Sequence, residues 1–296
     1  MGVVMGPNQY GKAEVRLLAV DRSSHRHHPR DLTVTTTMRG DFAATHLTGD
    51  NAGVLPTDTQ KNTVHAFAQQ QPVGEIEDFA LRLARHFAGT QDAVDEAQVV
   101  VEEHSLERIP VGGQGHDHAF RRAGEERRTA AVTVDRSREH VLSGLRDLVV
   151  LKTTGSEFRG FPKDEYTTLA ETDDRVLATA VTARWRHVGT EVDWAGSFDS
   201  VRADLLETFA TTHSRALQHT LHEMGRVALE KNPGVAEVRM SLPNKHHFAV
   251  DMTPFGMDNR NEVFFISDRP YGLIEGTVTR DDVDPEPAAW YGLAEF

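Results

Sequence analysis

Apolar and polar positions alternate from Lys12 to Val20, with Ala13, Val15, Leu17 and Ala19 on one face and Lys12, Glu14 and Arg16 on the other. A period of two marks a half-buried strand. Leu32, Val34, Thr36 and Met38 repeat it after the polar turn Asp21 to Asp31, which predicts an antiparallel hairpin or meander. The period then lengthens. Thr57 to Ala68 reads as a helix, and Ile76, Phe79, Ala80, Leu83, Ala84 and Phe87 form a 3.6-residue stripe. β-rich runs follow at Val94 to Glu103 and Arg127 to Asp135, separated by a Gly-rich loop at Gly112-Gly113-Gln114-Gly115.

The second half repeats the order. Leu145 to Lys152 and Val176 to Arg186 read as strands, the latter with Leu177, Thr179, Val181, Ala183 and Trp185 in alternation. Phe198, Val201, Leu205 and Phe209 mark one helix, and Leu217, Leu221, Met224 and Ala228 the next, which Asn232-Pro233-Gly234 stops. Strands resume at Val235 to Leu242, His246 to Asp251 and Val263 to Ser267. The pattern predicts a duplicated α+β unit with its join near Asp135 to His140, dividing the chain into residues 1–137 and 138–296. Paired helices on one face of an antiparallel sheet leave the other face to be covered, by a partner subunit or by closure into a barrel. Oligomerisation is therefore expected on physical grounds.

Composition narrows the function. The 296 residues contain no cysteine, which excludes disulfides, thiolate metal sites, Fe–S clusters and Cys nucleophiles. A formal net charge of −13 opposes a nucleic-acid partner, because phosphate recognition relies on clustered Lys and Arg. The basic pairs Arg121-Arg122 and Arg127-Arg128 are short and interrupted by Glu125 and Glu126. No apolar run approaches the ~18 residues of a membrane span. The start lacks a secretory pattern, and Leu293-Ala294-Glu295-Phe296 does not match a Ser-Lys-Leu type of address, so a cytoplasmic protein is expected.

Candidate chemistry concentrates in Ser241-Leu242-Pro243-Asn244-Lys245-His246-His247-Phe248, where an amide, an amine and two imidazoles meet a Pro-fixed turn. Alternation sets Asn244 and His246 on one face and His247 on the other. Lys12, on a strand after a glycine, reads by itself as a solvated lysine; work as a base would need burial or a neighbouring cation. Thr57 and Asp58 open a helix and read first as a cap with an acid in the first turn, although a helix N-terminus also suits an anion or a polarised small molecule. Phe158 lies in a polar, Gly-rich loop, as an anchor or a stacking platform. Arg175 follows Asp173 and Asp174, where a surface ion pair is the plain reading, and Gln218 beside Leu217 is a boundary amide on a helix. His116-Asp117-His118 and His25-Arg26-His27-His28 have a metal-like composition but sit in polar loops without a third ligand at a diagnostic spacing. No phosphate loop, dinucleotide fingerprint or nucleophile elbow occurs, and neither a metal nor an organic cofactor is assigned.

Several motifs in one order resemble urate oxidases (uricases). They are Tyr10-Gly11-Lys12, Thr57-Asp58 with Lys61-Asn62-Thr63, Leu148 to Thr154 after Gly144-Leu145, Asp164 to Leu169, Ser241 to His246, and Pro270 to Ile274. The resemblance implies two tandem tunnelling-fold (T-fold) units, a homotetramer whose sheets close into barrels, and active sites between subunits. It also implies cofactor-free oxidation of urate by O2. Lys12, Thr57 and His246 match the family's proton relay, Phe158 the ring that stacks on the purine, and Arg175 with Gln218 the pincer on its edge. Thr57 and Asp58 also match its binding residues, as does Leu217, where Val is frequent; Asn244 matches the amide beside O2 or water. The chemistry is coherent. A guanidinium binds two acceptors in one plane, a carboxamide offers a donor and an acceptor, and a phenyl ring fixes the purine by stacking. The implied products are 5-hydroxyisourate and H2O2. Two other readings fit the same pattern: another T-fold enzyme acting on a pterin or related purine, and a purine-binding oligomer without turnover. His247 follows the catalytic match where an aromatic is frequent, and Glu103 to Gln114 carries little family likeness.

Overall fold

The structure, a computed structural model, describes residues 1–293; the tail read above for a targeting signal lies, beyond Leu293, outside the described residues. The chain divides into two compact units. The first comprises Met1–Leu145, Arg186–Gly196 and Pro285–Tyr291, and the second Arg146–Trp185, Ser197–Asp284 and Gly292 onward. In chain order the elements are β1 (Tyr10–Asp21), β2 (His28–Gly40), α1 (Ala43–Thr48), α2 (Thr57–Gln70), α3 (Ile76–Thr90), β3 (Val94–Val111), β4 (Gln114–Asp135) and β5 (Glu139–Lys152). They continue with β6 (Leu177–His187), α4 (Trp194–Thr211), α5 (Leu217–Lys231), β7 (Val235–Pro243), β8 (His246–Ala249), β9 (Phe264–Ser267) and β10 (Leu273–Thr279). The α+β class and the antiparallel pairing are as the patterning predicts.

In the first unit the strands run in the order β1-β2-β3-β4. One sheet face, carrying Leu32, Val34, Met38, Val99, Val101 and Val132, buries the stripe Ile76, Phe79, Leu83 and Phe87 of α3. The register of β1 holds a surprise. Lys12 opposes Thr36, yet Val15 opposes Val34, so Ala13 and Glu14 together face a single partner residue. This β-bulge, with Glu14 at φ 55°, reverses the alternation. Strict period two places Lys12 with Glu14 and Arg16; the bulge instead moves it to the face of Val15 and of buried Thr36, where α2 and α3 pack. Gly11 serves the same contact: a Cβ there would lie 1.9 Å from Thr36 O.

The segment around Gly112 also differs from the reading of two short strands and a loop. β3 and β4 are continuous up to Val111 and from Gln114, joined by Gly112 and Gly113 at φ 60° and 82°. Two successive positive φ values define a tight hairpin turn that glycine favours. The outer half is charged on both strands, as in the pairs Glu107–Arg121 and Glu102–Arg127, so no apolar alternation announces it.

Beneath α3 runs a buried polar chain. Glu77, fully buried, accepts from Arg128 Nη2 at 2.8 Å and from Ser143 Oγ at 2.6 Å. Because the Ser143 proton is committed to Glu77, His187 Nε2–H donates to Ser143 Oγ at 2.9 Å. Arg128 also reaches Glu75, which Arg30 ties to Glu103. Burial, with help from the Arg128 charge, lowers the His187 pKa to about 4, while burial raises that of Glu77.

In the second unit β7 lies between β6 and β10. β10 is a strand that the patterning did not predict, because Gly276 interrupts its apolar face of Ile274 and Val278. Glycine is required there: a Cβ on Gly276 would meet Leu221 Cδ2 at 2.9 Å, and one on Gly225 would meet Val278 Cγ2 at 2.5 Å, so α5 rests directly on β10. β8 and β9 form a separate two-stranded ribbon in which His247 opposes Ile266 and Phe248 opposes Phe265. Phe248, Phe265 and Ile266 are exposed.

Candidate active site

The first unit brings Lys12, Thr57 and Asp58 together. Pro56 is the N-cap of α2, so Thr57 is its first helical residue rather than the cap, and no side-chain capping bond forms. Its hydroxyl is exposed beside the free N–H groups of the first turn. Asp58 is drawn toward Lys61 and accepts from Asn62 Nδ2 at 3.0 Å, which explains the Lys-Asn pair one turn on. Lys61 first, then Asn62 and the charge of Lys12, hold the Asp58 carboxyl below the usual carboxylate range. The bulge thus delivers the amine of half-buried Lys12 to the helix start.

The second unit assembles the remaining residues on a backbone clamp. Arg175 N donates to Ser156 O at 2.7 Å, Glu157 N to Ser214 O at 2.8 Å, and Ser214 N to Gly155 O at 2.9 Å. Phe158 and Thr172 exchange a pair of bonds at 2.9 and 3.1 Å. The clamp fixes the Phe158 loop, the approach to β6 and the approach to α5 to one another. Asp174 accepts from Thr154 Oγ1 at 2.7 Å and Gly155 N at 2.8 Å, and Asp173 pairs with Arg159 at 2.5 Å. The neighbouring acids are therefore engaged elsewhere. Arg175 is not their ion-pair partner as its context suggested. Its guanidinium lies 5.0 Å from the centre of the Phe158 ring, and its buried Nε makes no hydrogen bond among the described residues. Phe161 stacks on Phe158 at 4.9 Å and 17°, steadying the ring.

Leu217 and Gln218 occupy the first turn of α5 behind the N-cap Ala216. Leu217 is a core side chain, 2% exposed, which leaves its main-chain N–H as the group it can offer a ligand, whereas Gln218 is exposed. Asn244 sits where the chain leaves β7. It bridges to Thr179, and its N–H donates to Gly272 O at 2.8 Å, which gives the Pro270 to Ile274 motif a structural task. His246 opens β8, so a change of sheet separates it from Asn244, and alternation along a single strand does not relate the two. Within β8, His246 stacks on Phe248 at 5.7 Å, while His247 Nδ1 is engaged by Lys245 O at 3.0 Å. Burial first, then the charge of Arg175 and then His247, lower the His246 pKa below the usual histidine value. It is a neutral acceptor within electrostatic reach of Arg175.

The two His-rich segments, distant in sequence, do meet. His27 N donates to Asp117 O at 3.0 Å, and the His116 and His118 rings lie 4.5 Å apart. Both histidines of this pair belong to β4 rather than to a loop. Among the described residues no group of three side chains is arranged to hold a metal ion, and no helix is long and apolar enough to cross a membrane.

Comparison with known proteins identifies the family. The uricase family model matches residues 8–133 and 141–275. A uricase of Arthrobacter globiformis is 52% identical over 294 residues, spanning 99% of this chain and 96% of that protein. A uricase of Dictyostelium discoideum is 40% identical over 92% of this chain and 96% of its own. The crystal structure of the Arthrobacter globiformis uricase superposes with a TM-score of 0.94, covering 98% of this chain and 99% of that one. The chain belongs to the uricase family.

Proposed function

We propose that this chain oxidises urate with O2 to 5-hydroxyisourate and H2O2 without a cofactor. The observation that carries the reading is Arg175, a guanidinium laid along an aromatic face with a buried donor unmatched. A planar anion with in-plane acceptors satisfies that donor and shares the Phe158 face. Gln218 supplies the complementary amide, and the Leu217 N–H a further donor.

Urate binds as its monoanion. Lys12, Thr57 and His246 relay a ring N–H proton away, leaving a dianion rich enough in electrons to reduce O2. One electron passes to O2, held near Asn244 and Thr57; the two radicals couple at C5 and a proton returns, giving a hydroperoxide. H2O2 then departs with the C–O bonding pair, and water adds at C5. Urate has lost two electrons, O2 has gained two, and the new hydroxyl oxygen comes from water. A neutral His246 suits both accepting and returning the proton.

In this reading two T-fold units, residues 1–137 and 138–296, make up each chain, and four chains close their sheets into barrels with active sites between subunits. Support comes from β1 and β10, the two edge strands of the eight-stranded sheet, and from the apolar β8–β9 ribbon. The test is an aerobic assay following loss of the ultraviolet band of urate together with H2O2 release, in the presence of a strong chelator. Stoichiometric peroxide unaffected by chelation is expected. Abolition by the chelator and recovery on adding Zn²⁺ would overturn the cofactor-free reading and favour a metal-dependent T-fold enzyme.

A further inference from the structure

We infer that the buried pair Thr36 and Gln60 positions the proton relay, by tying the strand that carries Lys12 to the helix that carries Thr57. The inference rests on the relay proposed above and adds two residues that touch no reacting atom.

Thr36 and Gln60 are 1% and 0% exposed, inside a face otherwise lined by Leu32, Val34, Met38 and Val64. Buried polar side chains are costly unless bonded, and these two are bonded in sequence. The Thr36 hydroxyl accepts from Lys12 N at 3.4 Å and donates to Gln60 Oε1 at 2.8 Å. Gln60 Nε2 donates to Leu55 O at 3.3 Å, and Gln60 N to Pro56 O at 3.1 Å. The chain of bonds begins at the main chain of Lys12 and ends on the two residues before Thr57. At side-chain level it crosses from sheet to helix through the Thr36–Gln60 bond.

Its location gives it consequence. Lys12, opposite Thr36, is the last regular pair before the bulge at Ala13 and Glu14, so on its C-terminal side the ladder is interrupted where the lysine meets α2. Thr36 takes the Lys12 N–H, and Gly11 lets the Thr36 carbonyl approach where a Cβ would sit at 1.9 Å. At the other end Pro56 and Thr57 have no capping side chain to set the helix start; the Gln60 amide bonding to Leu55 supplies that restraint. Lys12 and Thr57 thus hold their relative positions through one hydroxyl and one carboxamide. Proton transfer depends steeply on such distances, and a misplacement of about 1 Å costs up to about 100-fold.

Thr36→Val keeps the shape and removes the hydroxyl; Gln60→Met keeps the volume and removes the amide; Thr36→Ser retains the hydroxyl. Each is measured in the full-length assembled protein for kcat and KM with urate, in the native background and with Lys12→Ala. Loss of Lys12 by itself is expected to slow turnover by about 10²–10⁴-fold. Thr36→Val and Gln60→Met are each expected to lower kcat by about tenfold, with KM changed less than about twofold, and Thr36→Ser to restore most of it. In the Lys12→Ala background Thr36→Val is expected to cost less than about twofold, since the hydroxyl acts through the lysine. An equal loss in both backgrounds, or an unchanged kcat in folded Thr36→Val or Gln60→Met, overturns the positioning role. Full turnover by Lys12→Ala removes the relay itself and the tie with it, an outcome distinct from failure of the tie with Lys12 still essential.

Discussion

Arg175 owes its position to its own main chain, whose N–H is held by Ser156, and its availability to acids that bond elsewhere. Arg175→Ala is expected to raise KM for urate by about 10–100-fold, the worth of one or two charge-assisted hydrogen bonds, with an unaltered circular dichroism spectrum. An unchanged KM would count against the pincer. The same variant tests the electrostatics of His246. Burial and then the Arg175 cation disfavour the imidazolium, so removing the cation raises the His246 pKa. With His246 in the relay, the acid limb of kcat at saturating urate is therefore expected to move toward higher pH in the variant. A limb that stays or moves down would show that another group controls it. The sequence motifs name these residues, but they could not show that Asp173 and Asp174 are engaged elsewhere, because those partners are set by loop folding.

At the scale of elements, periodicity was informative wherever one face is apolar and the other polar. α3, β2 and β7 lie within a few residues of their predicted bounds because burial on one face imposes the period. It misled at β1, where one extra residue moves Lys12 to the opposite face, and a bulge leaves no mark in composition. It was silent over Glu103 to Arg127, whose paired charges stabilise a hairpin through ion pairs rather than burial; the Gly112-Gly113 pair was the available signal. Gly11→Ala probes the bulge directly. The added methyl drives against Thr36 O, so stability is expected to fall by about 2 kcal/mol, with turnover falling as Lys12 is displaced. Chemical denaturation with the urate assay checks both; native values in both would show that the strand tolerates separation there.

Over the whole molecule, stability should follow the buried chain of Glu77, Ser143 and His187. The folded-state pKa of His187 is about 4, below the ordinary value of 6.5, so between these values the unfolded chain binds a proton that the folded chain refuses. Stability is full above about pH 6.5 and declines as pH falls toward 4, by about 3 kcal/mol from this residue. Glu77, with its raised pKa, works in the opposite sense: its contribution is present at low pH and lost as pH rises through its folded pKa. His187→Gln keeps a donor for Ser143 and cannot charge. Its melting temperature is expected to fall less between pH 7 and pH 4.5 than that of the native protein. Parallel declines would place the acid sensitivity elsewhere.

The β8–β9 ribbon, finally, bears on how activity responds to protein concentration. Two four-residue strands form a ribbon that is marginal in water without cover, and this one exposes Phe248, Phe265 and Ile266. His246 is its first residue. With the partner subunits proposed above covering the ribbon, dilution to solitary chains is expected to loosen the imidazole and silence turnover before the cores unfold, which turnover measured against protein concentration checks.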